Sequence, residues 1–578
     1  MEGGESASSG DARVGFKVDQ KLLGVLAVTV LLLSSFYLWT LPFQHNRLPF
    51  GEGDSAWHFA VGDNIASKDE ATFDLPYYIA LWYAGFNTLL GKFAPEYPHP
   101  NHVNYALMQV FGGERFTPVF IYRAIASFLG ILSVFFLLSR LFGLLPAFIA
   151  SLGLSFSVRE RLMYIFGQQP TIISLAIAPA AIYAWFRYLD SFYEDAAVGG
   201  RKIYLFISFA LLASQYLLHF QGFIGSAIIM AFFAVAMAVK FRRLPISKGN
   251  ARPLAIAVIA FIIVAAPFVL IYAGTGGSEF KPALNLGKLG GWGISPPEVS
   301  GNFPPDSVKF SSEYPGLLPF FLFAGIALLL VRIFLVKSNT RELLLLSWLV
   351  GVYIILHLDG LTGTSVARIT RMLLLENYLF YSLIALSVVW LPSTLASLVK
   401  VNRQVSGAAK YFLAVILVFI VIFSSGAKAK EDFKLAYGGL ERITPLQADF
   451  AQNVLGKLPD KAFVYDQVLS SPAGQQYRVF RYPKLRWMLA ISQRYVGRNS
   501  PFNNSLVDDM NETYYLFDYS DMAVFASSSD QRTSQFGLVL ASEMRDIEVK
   551  LFNNSKPVYD ASNIRLYNYY PELHGVPT

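Results

Sequence analysis

The stretch Gly51-Glu52-Gly53-Asp54-Ser55-Ala56-Trp57-His58 decides how this chain is read. It follows the first apolar span, Lys21–Phe43, and opens a polar, aromatic loop that lasts to about Thr117. Two carboxylates, Glu52 and Asp54, stand between glycines, whose permissive backbone lets a tight turn present them outward. If a helix begins at Asp54, then Asp54, Trp57 and His58 share a face, because residues three and four apart are neighbours on a helix surface. Two readings are open at this point. Such a turn presents carboxylates to a metal ion or to a substrate hydroxyl, or Asp54 is simply the N-cap of a juxtamembrane helix.

Composition places this loop beside a membrane. The chain has 578 residues, 54% hydrophobic and only 15% charged, with a mean hydropathy of +0.43. Soluble domains carry about 25% charged residues, so the chain reads as an integral membrane protein. Its 49 Phe and 31 Tyr suit a lipid-facing surface with interfacial anchors. The absence of cysteine excludes disulfides, thiolate metal sites and a cysteine nucleophile. Residues 1–20 are small and polar and read as a disordered cytoplasmic N-terminus. The span that follows has no small-residue cleavage signature and reads as an uncleaved first helix. Further apolar spans lie near 117–139, 141–157, 170–187, 203–219, 222–239, 253–273, 315–336, 342–357, 372–391 and 408–425. The expectation is a polytopic α-helical membrane domain over 21–425, with about eleven helices crossing about 30 Å of hydrocarbon and a first outer loop at 44–116.

Orientation follows from the short basic loops. With the N-terminus inside, the inner loops hold Arg140, then Arg187, Arg201 and Lys202, then Lys240, Arg242, Arg243, Lys248 and Arg252. Later ones hold Arg332, Lys337 and Arg341, then Lys400, Arg403 and Lys410, whereas the short loop at His219–Gln221 has no Lys or Arg. The positive-inside rule then puts the Asp54 loop, the 274–314 loop and the tail on the non-cytoplasmic side of a cell membrane. That tail, 426–578, reads as an extracytoplasmic α/β domain. Its short apolar runs Ala462–Tyr465, Tyr514–Phe517, Met522–Ala526, Gly537–Ala541, Val549–Phe552 and Ile564–Tyr567 are separated by turn residues and read as strands, the last two as an antiparallel pair. All three glycosylation sequons, at Asn503, Asn511 and Asn553, fall in this tail. Within the first loop, 73–90 reads as an interfacial helix. Residues 95–102 read as an irregular Pro-rich loop, in which His99 and His102 are read as surface residues ahead of metal ligands.

Charge inside the spans is sparse and gathers at the outer ends. Arg123 lies about two turns into the second helix, Arg159, Glu160 and Arg161 close the third, and Gln168-Gln169 precede the fourth. Arg368 and Arg371 open the tenth and share a face, with Glu376 near its edge. A charge within a span costs about 2.5–3.5 kcal/mol on insertion scales, so each needs a reason. Snorkelling to lipid headgroups is one. A phosphate clamp is the other, since guanidinium binds phosphate bidentately and keeps its charge when partly buried. On that reading Arg123, Arg159, Gln168, Gln169, Arg368, Arg371 and Glu376 line a substrate site, with Asp54, Glu52 and His58 at its catalytic end.

The plan resembles the GT-C superfamily of membrane glycosyltransferases, and within it the archaeal oligosaccharyltransferase catalytic subunits. Asp54-Ser55-Ala56-Trp57-His58 resembles the family's first acidic motif, Phe156 to Thr171 the segment that carries the second, and Arg368 to Tyr381 the late helix opening on a functional arginine. The resemblance covers most of the chain by topology, while the specific motifs cover about forty residues. Two departures stand out. Gln168-Gln169 occupies the place of an acidic pair, and Phe463-Val464-Tyr465-Asp466-Gln467-Val468 stands where those enzymes carry WWDYG. What the resemblance implies is glycosyl transfer from a polyprenyl-phosphate-linked donor to a glycan, lipid or protein acceptor, with Asp54 as base or metal ligand. A divalent cation, Mg or Mn, held by Asp54 and Glu52 is the cofactor it implies, although the superfamily also has metal-independent members. Other functions stay open: a non-catalytic GT-C-like assembly subunit, which Gln168-Gln169 favours, or a transporter of lipid-linked or anionic solutes, which the lack of an evident repeat disfavours. No nucleic-acid partner is expected.

Overall fold

The computed structural model describes residues 20–44, 46–51, 54–68, 76–79, 100–194, 201–246, 248–274, 308–334, 339–357, 369–399, 403–430, 442–467, 469, 471–497, 512–570 and 574. Among these, six helices are long and apolar enough to cross a membrane: Gln20–Gln44, Thr117–Phe142, Gln169–Tyr193, Phe220–Phe241, Met372–Leu395 and Ser406–Lys430. Four shorter apolar helices accompany them, Leu144–Ser155, Lys202–Leu218, Asn250–Ala266 and Leu318–Phe334. The described helices thus carry a multi-helix apolar body: six have full span length, and the other expected spans fall on shorter helices, Thr340–Leu356 among them. Glu52, Arg368, the interfacial segment except 76–79, and the sequons Asn503 and Asn511 lie outside the described residues.

Sequence sorts these helices into rim and centre. The first helix is apolar nearly all round, and it packs through Leu31, Ser35, Leu38 and Trp39, a stripe at helical spacing. Its Leu22, Leu26, Val30 and Leu33 face outward, as lipid contact requires. The long helix Ile369–Val399 is the opposite case. Its Leu374, Leu375, Tyr378, Leu379, Leu383, Ala385, Leu386 and Val388 are all buried, which makes it the central post. Gly325 of the neighbouring helix lets that post come close, since a Cβ there would strike the carbonyl of Leu383.

The C-terminal region folds as a five-stranded sheet with helices on it. The strands are β1 (Phe463–Asp466), β2 (Tyr495–Gly497), β3 (Thr513–Asp518), β4 (Tyr559–Ala561) and β5 (Ile564–Asn568), in the order β2-β1-β3-β5-β4. β2, β1 and β3 are parallel, and β5 runs antiparallel to both β3 and β4. Three of the six expected strands are strands. Met522–Ala526 lies in the helix Ser520–Ala526, while Gly537–Ala541 and Val549–Phe552 both belong to the helix Gln531–Phe552. The reason is periodicity over a longer window: Gly537, Leu540, Met544, Glu548 and Phe552 bury one helical face, and Asp530 caps its start by accepting from Thr533 N–H at 2.9 Å. β5 therefore pairs with β3 and β4.

A buried ion cluster sits at the carboxyl ends of β1 and β3. Arg481 donates to Asp466 at 2.8 Å and to Asp518 at 2.5 Å, and Lys484 to Asp521 at 2.6 Å. Gln447 donates to Asp518 and Asp521, and Tyr477 to Asp521. Burial pushes Asp518 toward its neutral form, but the Arg481 guanidinium and the hydrogen bonds from Ser520, Arg481 and Gln447 outweigh it and hold the carboxyl below its ordinary value. A depressed folded-state value contributes stability that is full above the unfolded value and is lost as pH falls through the folded one. Thermal melting of the purified protein, read by tryptophan fluorescence, is therefore expected to weaken as the pH drops below about 4, with a shallower fall in Asp518→Asn.

Candidate active site

Asp54 is presented by a turn that only glycine permits at two places. Gly51 has φ +109° and Gly167 φ +75°, and a Cβ at either would collide with Ser55. Two chain segments close on one another there, and the Asp54 N–H donates to the carbonyl of Phe166 at 3.3 Å. The helix Ser55–Lys68 then starts, with the N–H of His58 donating to the Asp54 carbonyl at 2.9 Å. The Asp54 backbone thus begins a helix while its side chain faces elsewhere. Oδ2 accepts a hydrogen bond from the Gln168 amide, and Oδ1 lies 3.8 Å from Arg486 Nη1. The Asp54 side chain keeps 30% of its surface open.

The other guanidiniums near this turn are spent on holding it. Arg123 donates to the carbonyls of Phe50 and Tyr164 and to Ser55 Oγ, and lies over the rings of Phe50, Phe120 and Tyr164. Gln169 donates to the Arg123 carbonyl at 3.0 Å and to Ser127 Oγ at 2.5 Å. Arg442 donates to the carbonyls of Pro42, Asn46 and Leu48. The Nη donors of both arginines satisfy backbone oxygens that a buried turn would otherwise leave without partners.

Besides Arg442, the C-terminal region contributes the helix Pro472–Ser492 to this site. Trp487 Nε1 donates to the Gly51 carbonyl at 2.8 Å, next to the acidic motif. Arg115 clamps the far end: it donates from Nε and Nη2 to Asp63 at 2.8 and 2.7 Å, and to the carbonyls of Ile491 and Ala490. Gln493 also donates to Asp63, at 2.7 Å. Arg115→Gln, which breaks a charged bidentate contact, is expected to lower stability by about 1–3 kcal/mol. A lower melting temperature together with faster proteolysis after 442 would show it.

His58 is buried on the neighbouring face, its Nδ1 2.9 Å from His102 Nε2, with Trp57 packed edge-on against both rings. His102 belongs to the helix Pro100–Gly112, where an irregular loop was expected, and its flanking Tyr105, Ala106 and Gln109 are buried at helical spacing. His99 lies outside the described residues.

Arg159 and Glu376 meet in a second, drier cluster. Arg159 Nη1 donates to Glu376 Oε1 at 3.1 Å and to Asn377 Oδ1 at 2.9 Å. Asn377 also receives Tyr314 OH at 2.8 Å and donates to Ser157 Oγ and Glu313 Oε1. Glu313 Oε2 accepts from the Arg159 N–H at 2.9 Å. Sequence reasoning placed Glu376 at the edge of the Arg368–Arg371 face, whereas here it answers Arg159. The Arg371 side chain lies outside what is described. The sequence pattern does not mark Glu313, Asn377 or Arg486 as site residues. For the first two the only available sign was polarity inside an apolar neighbourhood.

Metal fit can be judged on the donor set. Among the described residues no three His, Asp or Glu side chains gather as ligands. Asp54 faces an amide N–H and a guanidinium, both donors that repel a cation. The described groups at Asp54 do not fit Mg or Mn, which want several anionic or neutral oxygens.

No family model matches the chain, and no curated protein matches its sequence. Solved structures do match. An oligosaccharyltransferase from Archaeoglobus fulgidus, tethered to an acceptor peptide containing the NVT sequon, aligns at TM-score 0.51 and 15% identity, over 92% of this chain and 70% of that one. ArnT from Cupriavidus metallidurans bound to undecaprenyl phosphate aligns at TM-score 0.51 and 13% identity, over 97% of this chain and 100% of that one. Both are GT-C glycosyltransferases of the membrane, and the chain shares their fold. At these identities the likeness speaks for the fold alone.

Proposed function

We propose that this protein is a membrane glycosyltransferase that moves a sugar from a polyprenyl-phosphate-linked donor to an acceptor on the non-cytoplasmic side. The observation that carries the reading is the placement of Asp54. It is a partly open carboxylate at the seam between the apolar body and the C-terminal sheet region, with one oxygen oriented by Gln168 and the other beside a guanidinium. The shared fold supports the reaction class, and solved relatives bind undecaprenyl phosphate or an acceptor peptide in that fold.

The chemistry follows from the charges. The acceptor hydroxyl or amide attacks C1 of the donor sugar, and its proton passes to Asp54. The bond from C1 to the donor phosphate oxygen breaks, and that oxygen keeps the electron pair as polyprenyl phosphate. The Gln168 amide fixes Asp54 Oδ2, and Oδ1, beside Arg486, is the oxygen that takes the proton. A protein acceptor gripped by a tryptophan pair is the weaker option, because the end of β1 offers Tyr465 and Asp466, and Asp466 is committed to Arg481.

The test is direct. The purified protein is given a polyprenyl-phosphate-linked radiolabelled sugar with membrane extract as acceptor source. Release of polyprenyl phosphate with label appearing in a new product is expected. Intact donor after prolonged incubation with folded protein, across several sugars, would end this reading.

A further inference from the structure

We infer that Arg486 is the ligand for the donor's phosphate, carried to the acidic motif by the C-terminal region and paired with Asp54 until the phosphate arrives. This rests on the glycosyltransferase reading and adds a specific residue to it. The described arginines around the motif divide into two kinds. Arg123 and Arg442 are buried and committed to backbone carbonyls. Arg486 instead keeps 18% of its side chain open and meets the acid itself, at 3.8 Å from Oδ1. That spacing is a loose ion pair, longer than a charge-assisted hydrogen bond of about 2.7–2.9 Å, so an arriving donor phosphate can outcompete it.

The guanidinium is also well placed. It lies over the Tyr482 ring at 4.4 Å from the centroid, and Nη2 donates to Tyr482 OH at 2.7 Å. Tyr482 and Arg486 are four apart on one helix, so their side chains stack along one face. The next residue, Trp487, ties that helix to the Gly51 carbonyl. Position is thereby set relative to the motif from both ends. Arginine suits the task because its fork matches two phosphate oxygens while retaining its charge in a half-buried seam. When phosphate takes Arg486, Asp54 Oδ1 loses its cationic neighbour and is released to the acceptor. Donor binding and release of the base are then one event.

The experiment measures binding of a long-chain polyprenyl phosphate, and of the matching polyprenol, to the detergent-purified full-length protein. Wild type is expected to prefer the phosphate. Arg486→Ala and the more conservative Arg486→Gln should each lose about 10- to 100-fold in affinity for the phosphate, with polyprenol binding and melting temperature unchanged. Asp54→Asn should bind the phosphate several-fold more tightly, and only while Arg486 is present. Phosphate affinity in folded Arg486→Gln equal to wild type overturns the inference and leaves the glycosyltransferase reading standing. A wild type that binds alcohol and phosphate alike overturns both.

Discussion

Asp54→Asn is expected to abolish most sugar transfer while leaving the protein folded. The substitution keeps the side-chain shape, and asparagine begins a helix as well as aspartate does. The turn made by Gly51 and Gly167 and the Arg123 contacts behind it are untouched. What disappears is the proton acceptor, and a positioned base contributes about 10²–10⁴-fold to a rate. The loss should therefore fall on kcat, at equal expression and melting temperature. A variant within an order of magnitude of wild type would show that the carboxylate is only the start of a helix. Arg486→Gln is the useful contrast, because it should raise KM for the donor first.

Arg481→Met is expected to be the most damaging single change to stability. Arg481 neutralises Asp466 and Asp518 and lies 3.7 Å from Asp521, all of them buried. Removing one partner of a buried ion cluster leaves uncompensated charge in a poor solvent, at a cost of about 3–5 kcal/mol. Lys484 cannot compensate, since it is already bonded to Asp521. The C-terminal region should melt early or misfold, which limited proteolysis and a thermal scan read directly. The effect should also reach the site, because the helix carrying Arg481 carries Arg486 and Trp487.

That helix explains which part of the site was legible in the sequence. The acid was visible because glycines flank it after an apolar span, and Gln168 because it interrupts an expected acidic pattern. Arg486 was not. Arg478, Arg481, Lys484 and Arg486 read as one basic stretch, and nothing in the letters says which of them faces the seam. Geometry separates them. At 3.6 residues per turn, Arg481 and Lys484 lie about 60° apart and enter the ion cluster, while Arg486 lies about 140° from Arg481 and points away with Tyr482. Long-range closure does the rest, bringing residue 486 to residue 54.

The fold shows the same division. Apolar length marked the spans well, since hydrocarbon demands continuous hydrophobicity. Short apolar runs in the tail misled, because Val549–Phe552 alone fits a strand while its neighbours Leu540 and Met544 make it the end of a helical face. The Arg159–Glu376 pair was half visible: both charges were noted, but local spacing assigned Glu376 to its own helix, and tertiary packing gave it to another.

The most direct test of the account is a structure of the full-length protein with polyprenyl phosphate bound. The account predicts phosphate oxygens within hydrogen-bonding distance of Arg486, about 2.7–2.9 Å, at the seam beside Asp54, with the Asp54–Arg486 pair opened. A phosphate seated at the Arg159 cluster, with Arg486 still against Asp54, would contradict it.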